Sequence, residues 1–325
     1  MQLSCYVQAT QAKLARLAVV NPVLYRAIRP YVVRVNPAAA SVPRVSLVLP
    51  VHNGAAYLGE ALASIAAQSL TDYELICVDD ASSDASPALL AAAAAADPRI
   101  QLIRLDTNVG LPAALNTGFA HARGHYFSWT SDDNILRPYM LERLVAALGA
   151  HPDCAVAHSD YTVIDPAGGA IERVTTGPAA DLLLGNNVGA SFLYRREVDF
   201  ALGGYDPDLF GAEDYDFWLR AAAHYRFCHV AEDLYLYRKH PRSLTNQRAA
   251  AIQALTTAVV LEGLTGHIPA TQRGAAMIGQ FRRNHFRVRT DLLLRALRLA
   301  PLAVLRQAPS LARHMVRVLR HQTFV

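Results

Sequence analysis

Apolar and polar positions fall into regular blocks along the first half of this chain. "VSLVLPV" (45–51) is a continuous apolar run, the pattern of a strand covered on both faces. "AAYLGEALASIAAQSL" (55–70) has helical spacing, and "YELICVDD" (73–80) reads as a second strand ending in acids. The alternation continues with a helix over 85–99, a strand over 100–106, a helix over 110–122, a strand over 125–130 and a helix over 137–150. The alanine run within 85–99 needs only high helix propensity to explain it. Four strand–helix repeats predict a parallel sheet with helices on its faces, where ligands bind beyond the carboxyl ends of the strands. After residue 151 the order changes: "CAVAHSDYTVID", the turn "PAGG" and "AIERV" read as a hairpin, mixed elements follow, and from about Asn246 onward the pattern is helical.

Composition narrows the class. The chain has 325 residues, 52% of them hydrophobic and 18% charged, enough for one large domain or two smaller ones. Four cysteines without a CxxC pair predict reduced thiols in a cytosolic chain, with neither a disulfide frame nor a zinc site. No apolar run is long enough to cross a membrane, and the N-terminus lacks the order of regions of a signal peptide. Net charge is +4, unevenly spread: residues 282–325 hold ten Arg and one Asp, so the rest of the chain is mildly acidic. A basic tail of this kind implies an anionic partner, and the lack of stacking aromatics within it argues against nucleic acid.

The candidate chemistry sits at strand ends. Asp79, Asp80, Asp132, Asp133 and "PVHNG" (50–54) all fall at or just beyond the carboxyl ends of predicted strands. Adjacent carboxylates raise one another's pKa unless a cation is shared, so Asp132 and Asp133 suit a hard divalent ion, Mg²⁺ or Mn²⁺, that carries a diphosphate. A plainer reading is a solvated turn with an Asp capping the next helix. Neither GxGxxG nor GxxxxGK[ST] follows a strand, so a nucleotide here would need a metal and side chains rather than a backbone cradle. Asp80 can accept from a base or ribose, or form a turn. Glu213 and Asp214 open a predicted helix, where the dipole favours acids and where a carboxylate can also serve as a general base. His240 follows a strand and can meet a metal or phosphate, although a lone His is more often a packing residue.

Together these stretches resemble the family 2 glycosyltransferases. The resemblance is carried by "VSLVLPVHNGAAYLGEALASIAAQSLTDYELICVDDASSDAS", "NVGLPAALNTGFAHARGHYFSWTSDDN", "GGYDPDLFGAEDYDFWLR" and "YRKHPRSLT", in that order. It implies a GT-A fold, Rossmann-like and α/β with a mostly parallel sheet, over residues 44–245. That region divides into a nucleotide-binding half (44–134) and an acceptor half (135–245). An extension, 1–43, precedes it, and a helical basic region, 246–325, follows. It further implies inverting transfer, aided by Mg²⁺ or Mn²⁺, from a nucleotide-sugar donor (a UDP-sugar favoured) to a saccharide or lipid-linked saccharide, in cell-surface polysaccharide or glycolipid synthesis. Carried over by position, Pro50, Val51, Asn53, Asp80 and Asp132 line the nucleotide site and Asp133 and His240 serve the metal. Asp214, with Glu213 beside it, is the catalytic base, and Gly189 and Ser191 lie where donor or acceptor sugar approaches. Two departures stand out: His52 occupies a position where an aromatic is common, and the Asp-x-Asp element is here Ser131-Asp132-Asp133.

Beyond Pro309, Arg313, Arg317 and Arg320 share one helical face, with Leu311, Met315 and Val318 roughly opposite. That is the pattern of a helix on a membrane surface, or of a helix docked on the protein with its arginines in solvent. The first alternative places the protein in the cytoplasm, at the inner face of the membrane. Two rival functions remain in view. A sugar-nucleotide pyrophosphorylase prefers a Gly-rich basic loop after the first strand, and "PVHNGAAYL" carries no Lys or Arg. A non-catalytic carbohydrate-binding scaffold would leave the acids at 80, 132, 133 and 214 as coincidence.

Overall fold

The structure is a computed structural model that describes residues 42–263 and 269–322. The expected extension over 1–43 therefore lies almost wholly outside the described residues, as does Cys5. The chain forms two compact units, and each interleaves with the other along the sequence. The described part of the first comprises residues 42–176, 189–208 and 225–239; that of the second comprises 177–188, 209–224 and 240–322.

The first unit contains β1 (Val45–Val51), α1 (Leu58–Ala66), β2 (Tyr73–Asp79), α2 (Ser86–Ala96), β3 (Ile100–Arg104), α3 (Leu111–His121), β4 (Tyr126–Trp129), β5 (Ile135–Leu136), α4 (Met140–Ala150), β6 (Cys154–Ile164), β7 (Ala170–Val174), β8 (Phe192–Arg195), α5 (Arg196–Leu202) and β9 (Arg226–Arg238). The strands form one sheet in the order β3-β2-β1-β4-β8-β6-β9-β5, with β7 paired to β6 as the expected hairpin. β3, β2, β1 and β4 are mutually parallel. β8 then runs antiparallel to both β4 and β6, while β9 is parallel to β6 and antiparallel to β5. Every residue of β1 and β2 is buried, as their unbroken apolar runs require. The polar residues among them are paired: Ser46 Oγ donates to Glu74 Oε1 at 2.6 Å, Arg123 Nε donates to Glu74 Oε2 at 2.9 Å, and Asp79 Oδ1 accepts from Ser82 N at 3.0 Å. From β1 the chain steps to β2 and β3 on one side, then returns to β4 on the other. That reversal opens a crevice at the carboxyl ends of β1 and β4.

The second unit is helical: α6 (Glu213–Ala222), α7 (Leu244–Gln247), α8 (Ala249–Gly263), α9 (Ala270–Arg283), α10 (Thr290–Leu299) and α11 (Pro301–Gln322), with a 3₁₀ turn at Ala179–Leu184. Met277, Ile278, Phe281, Leu292, Ala296, Val304 and Leu311 form its core, and Phe217 and Trp218 of α6 are fully buried. By packing, then, residues 209–224 group with the C-terminal helices. α11 begins at Pro301 and runs through Pro309. Leu311 and Val318, one candidate membrane face on sequence grounds, are 2% and 1% exposed, while Arg313, Arg317 and Arg320 face solvent. That face is spent on packing within the protein.

Candidate active site

The turn after β1 is stitched to the turn after β2. Asn53 adopts φ +57°, a left-handed conformation that asparagine tolerates. Its N–H donates to Ser82 Oγ at 3.0 Å, and its Oδ1 accepts from Ser83 N at 2.8 Å. Gly54 N donates to Ser86 Oγ and Ala55 N to Asp84 Oδ2, each at 3.0 Å. Pro50 and Val51 are buried at the end of β1, and His52 is exposed beyond them with Nδ1 2.7 Å from Asp80 O.

Asp80 is committed to a neighbouring element. Its two carboxylate oxygens accept from Val109 N at 2.7 Å and Gly110 N at 2.9 Å, the backbone amides that lead into α3. Burial leaves its pKa raised, and those two amides counter the rise only in part. The carboxylate thus holds the loop that borders the site, and any contact with a nucleotide would use its remaining lone pairs.

Asp132 and Asp133 follow β4. Burial, and secondly the charge of Asp133, push Asp132 up to about 7, and the N–H of His52 partly counters this. Gly54 is what admits the acid: a Cβ there would lie 1.8 Å from Asp132 Oδ2. The loop is pinned from below. Thr130 Oγ1 lies 2.7 Å from Tyr235 OH, and Asn134 Oδ1 accepts from Arg238 N at 2.8 Å. Arg238 is 1% exposed; its Nε donates to the Asp133 carbonyl at 3.0 Å, Nη1 to Pro166 O at 2.9 Å and Nη2 to Glu60 Oε2 at 2.7 Å, and it stacks over Tyr57. Sequence reasoning quoted this arginine within "YRKH" but gave it no role; a fully buried guanidinium has no sequence signature. Arg238→Ala is expected to cost about 2–4 kcal/mol in urea unfolding, because it leaves a void and takes the donor from two backbone carbonyls and the Glu60 carboxylate. Arg238→Lys should recover only part of that, since one ammonium cannot span the same acceptors.

The donor set around Asp132 and Asp133 fits a divalent ion. A buried carboxylate whose pKa is raised further by the charge of its neighbour is the arrangement a hard cation relieves. No cluster of three or more metal-ligating side chains occurs among the described residues, so the further ligands of such an ion would come from phosphate oxygens and water.

In the second unit, Glu213 and Asp214 begin α6 as expected. Glu213 is 4% exposed and its Oε2 accepts from Gly211 N at 2.5 Å; burial, then Asp214, push it up to about 7. Asp214, also raised by burial, accepts from Tyr215 N at 2.7 Å and from Asn186 Nδ2 at 2.8 Å. Asn186 thus orients the carboxylate, a role that "GNN" in a loop did not announce. Tyr215 OH donates to Leu182 O, which ties α6 to the 3₁₀ turn. His240 is 9% exposed, and its carbonyl accepts from Ser243 N and Asn246 Nδ2.

Gly189 and Ser191 belong to the first unit. Gly189 has φ +72°, and a Cβ there would meet the Tyr161 ring at 2.6 Å. Ser191 has no exposed surface, and its Oγ lies 2.6 Å from Ser159 Oγ. As it stands, Ser191 secures β8 to β6 rather than presenting a hydroxyl to a ligand.

Known proteins share both sequence and fold with this chain. Residues 46–200 match the family model described as Glycosyl transferase family 2. The succinoglycan biosynthesis protein ExoO of Rhizobium meliloti is 34% identical over 178 residues, 54% of this chain and 49% of ExoO. The chain spans 23%, 18% and 49% of the length of the first three curated relatives it matches. Among solved structures, S. aureus TarS (residues 1–349) with UDP-GlcNAc superposes at TM-score 0.64 with 16% identity, over 85% of this chain and 88% of that one. The mannosyltransferase PcManGT of Pyrobaculum calidifontis, with GDP-Man and Mn²⁺, superposes at 0.60 with 20% identity, over 97% and 92%. The sheet with its flanking helices is the GT-A fold of those structures. Over that matched segment, which spans β1 through β8 and into α5, the chain carries a family 2 glycosyltransferase domain.

Proposed function

We propose that this protein transfers a sugar, with inversion, from a nucleoside diphosphate donor to a saccharide or lipid-linked saccharide acceptor, at the cytoplasmic face of a membrane, in the building of a surface polysaccharide or glycolipid. The observation that carries the reading is the Asp132–Asp133 pair beyond β4, with Asp132 lodged against Gly54 and pushed up to about 7. Such excess negative charge favours a metal-bound diphosphate. Support also comes from the relatives: ExoO is named for succinoglycan biosynthesis, TarS was solved with UDP-GlcNAc, and PcManGT with GDP-Man and Mn²⁺.

Asp133 and Asp132 would hold Mg²⁺ or Mn²⁺, which when bound supplies Lewis-acid stabilisation of the departing diphosphate. The turn at 50–54 and the loop held by Asp80 would border the nucleoside, with UDP the favoured base. Asp214, oriented by Asn186 and the Tyr215 N–H, would take the proton from the acceptor hydroxyl as that oxygen bonds to the anomeric carbon. The bond to the diphosphate breaks on the opposite face, so one displacement inverts the centre and no second nucleophilic carboxylate is required. A panel of UDP-, dTDP- and GDP-sugars, assayed for Mn²⁺-dependent hydrolysis and transfer, tests the proposal. Rates that stay at background for every donor with Mn²⁺ present would sink it.

Gly54→Ala is a sharper local test. The added methyl would evict the Asp132 carboxylate from its seat, so metal-dependent activity should fall about tenfold or more while the melting temperature stays near that of the parent. Unchanged turnover would mean that the seat is irrelevant to catalysis.

A further inference from the structure

The last helix carries two apolar faces, one buried and one largely exposed. Val304 and Leu311 are buried in the core of the second unit, His314 lies against Phe281, and Val318 is 1% exposed. Almost opposite on the helical wheel, Leu302, Leu305, Val316 and Leu319 are 67%, 62%, 49% and 50% exposed. Pro309 and Ala312, also exposed, continue the same three-and-four spacing, so the stripe runs the length of α11. Arg306, Arg313 and Arg317 line one flank of it, all exposed. α10 adds Leu294 and Leu297, 58% and 42% exposed, with Arg295 and Arg298 exposed beside them.

We infer that this second stripe, with its flanking arginines, is a docking surface for anionic lipid. An apolar stripe of this width along a helix is costly to leave in water, and a row of guanidinium groups at its border suits lipid phosphates. No helix among the described residues is long and apolar enough to cross a membrane, so the geometry is that of a helix lying in the interface. A second copy of the chain is the poorer occupant. Residues 282–325 hold ten Arg and a single acid, Asp291, which is already paired with Arg289 at 2.8 Å. Pairing two such helices would set arginine beside arginine with no carboxylate to answer it. The inference is independent of the transfer reaction proposed above.

The test uses the full chain in vesicle flotation, with phosphatidylcholine alone or mixed with phosphatidylglycerol. The protein should float with the anionic vesicles and, about tenfold less, with the neutral ones, and added salt should release it. The combined variant Leu302→Ser, Leu305→Ser, Val316→Ser, Leu319→Ser should lose at least about tenfold of the anionic binding, as should Arg306→Gln, Arg313→Gln, Arg317→Gln. If the fourfold variant fails to fold by circular dichroism, the single change Leu305→Asp at its exposed position takes its place. Failure of the parent protein to float with anionic vesicles overturns the inference. So does equal flotation of the stripe variant, or a parent dimer that the stripe variant converts to a monomer without change in flotation.

Discussion

Asp214→Asn is expected to reduce kcat by at least about 10²-fold, the usual contribution of a general base. The amide is isosteric and keeps one of the two accepted hydrogen bonds, from Asn186 at 2.8 Å or from Tyr215 N at 2.7 Å, so α6 should survive with a small drop in melting temperature. What disappears is the capacity to take a proton. The pH profile provides a second reading. Glu213 is pushed up to about 7 and Asp214 is raised with it, so the two titrate as a pair. A base must be ionised, so kcat/KM should fall as pH drops through the apparent pKa of that pair. Glu213→Gln removes the neighbouring negative charge, which makes the charged form of Asp214 easier to reach, so the acid limb should move to lower pH. An Asp214→Asn enzyme with parental kcat, or a Glu213→Gln profile unmoved, would remove Asp214 from the chemistry.

Asp133→Ala should abolish metal-dependent nucleotide binding and lower transfer by at least about 10²-fold. Calorimetric titration with UDP separates the effects. The parent should bind far more tightly with Mn²⁺ than without it, whereas the variant should give the same weak binding in both. Its fold should not suffer, because removal of one of two adjacent carboxylates relieves the repulsion that helps to raise Asp132. Parental Mn²⁺-dependent affinity in the variant would show that the ion, if any, sits elsewhere.

Much of this architecture is legible in the linear chain, and the reason is local. Runs buried on both faces, such as "VSLVLPV", and helical spacing such as that of 110–122 depend only on neighbouring residues, so β1 to β4 and α1 to α4 fall close to where periodicity puts them. The ends are shorter than expected: the first helix spans 58–66 rather than 55–70, since the turn at 53–57 is drawn into the bonds that bind Ser82, Ser86 and Asp84. The acids at positions 80, 132 and 133 lie beyond strands, as their order predicts. Their partners are another matter. Nothing near Asp80 in sequence announces that Val109 and Gly110 take both of its oxygens, and nothing in "YRKH" tells Arg238 from any surface arginine.

The amino-acid order alone determined the alternation of strands and helices, the siting of carboxylates at their ends, and the concentration of arginine after residue 282, because each follows from composition and spacing within a few turns of chain. Tertiary structure decided which groups those carboxylates meet, that Gly54 makes room for Asp132, and which of two apolar faces on α11 is covered. Hydrogen-bond partners and burial are set by segments far apart in the chain, and periodicity cannot encode which of two similar faces a neighbour will choose.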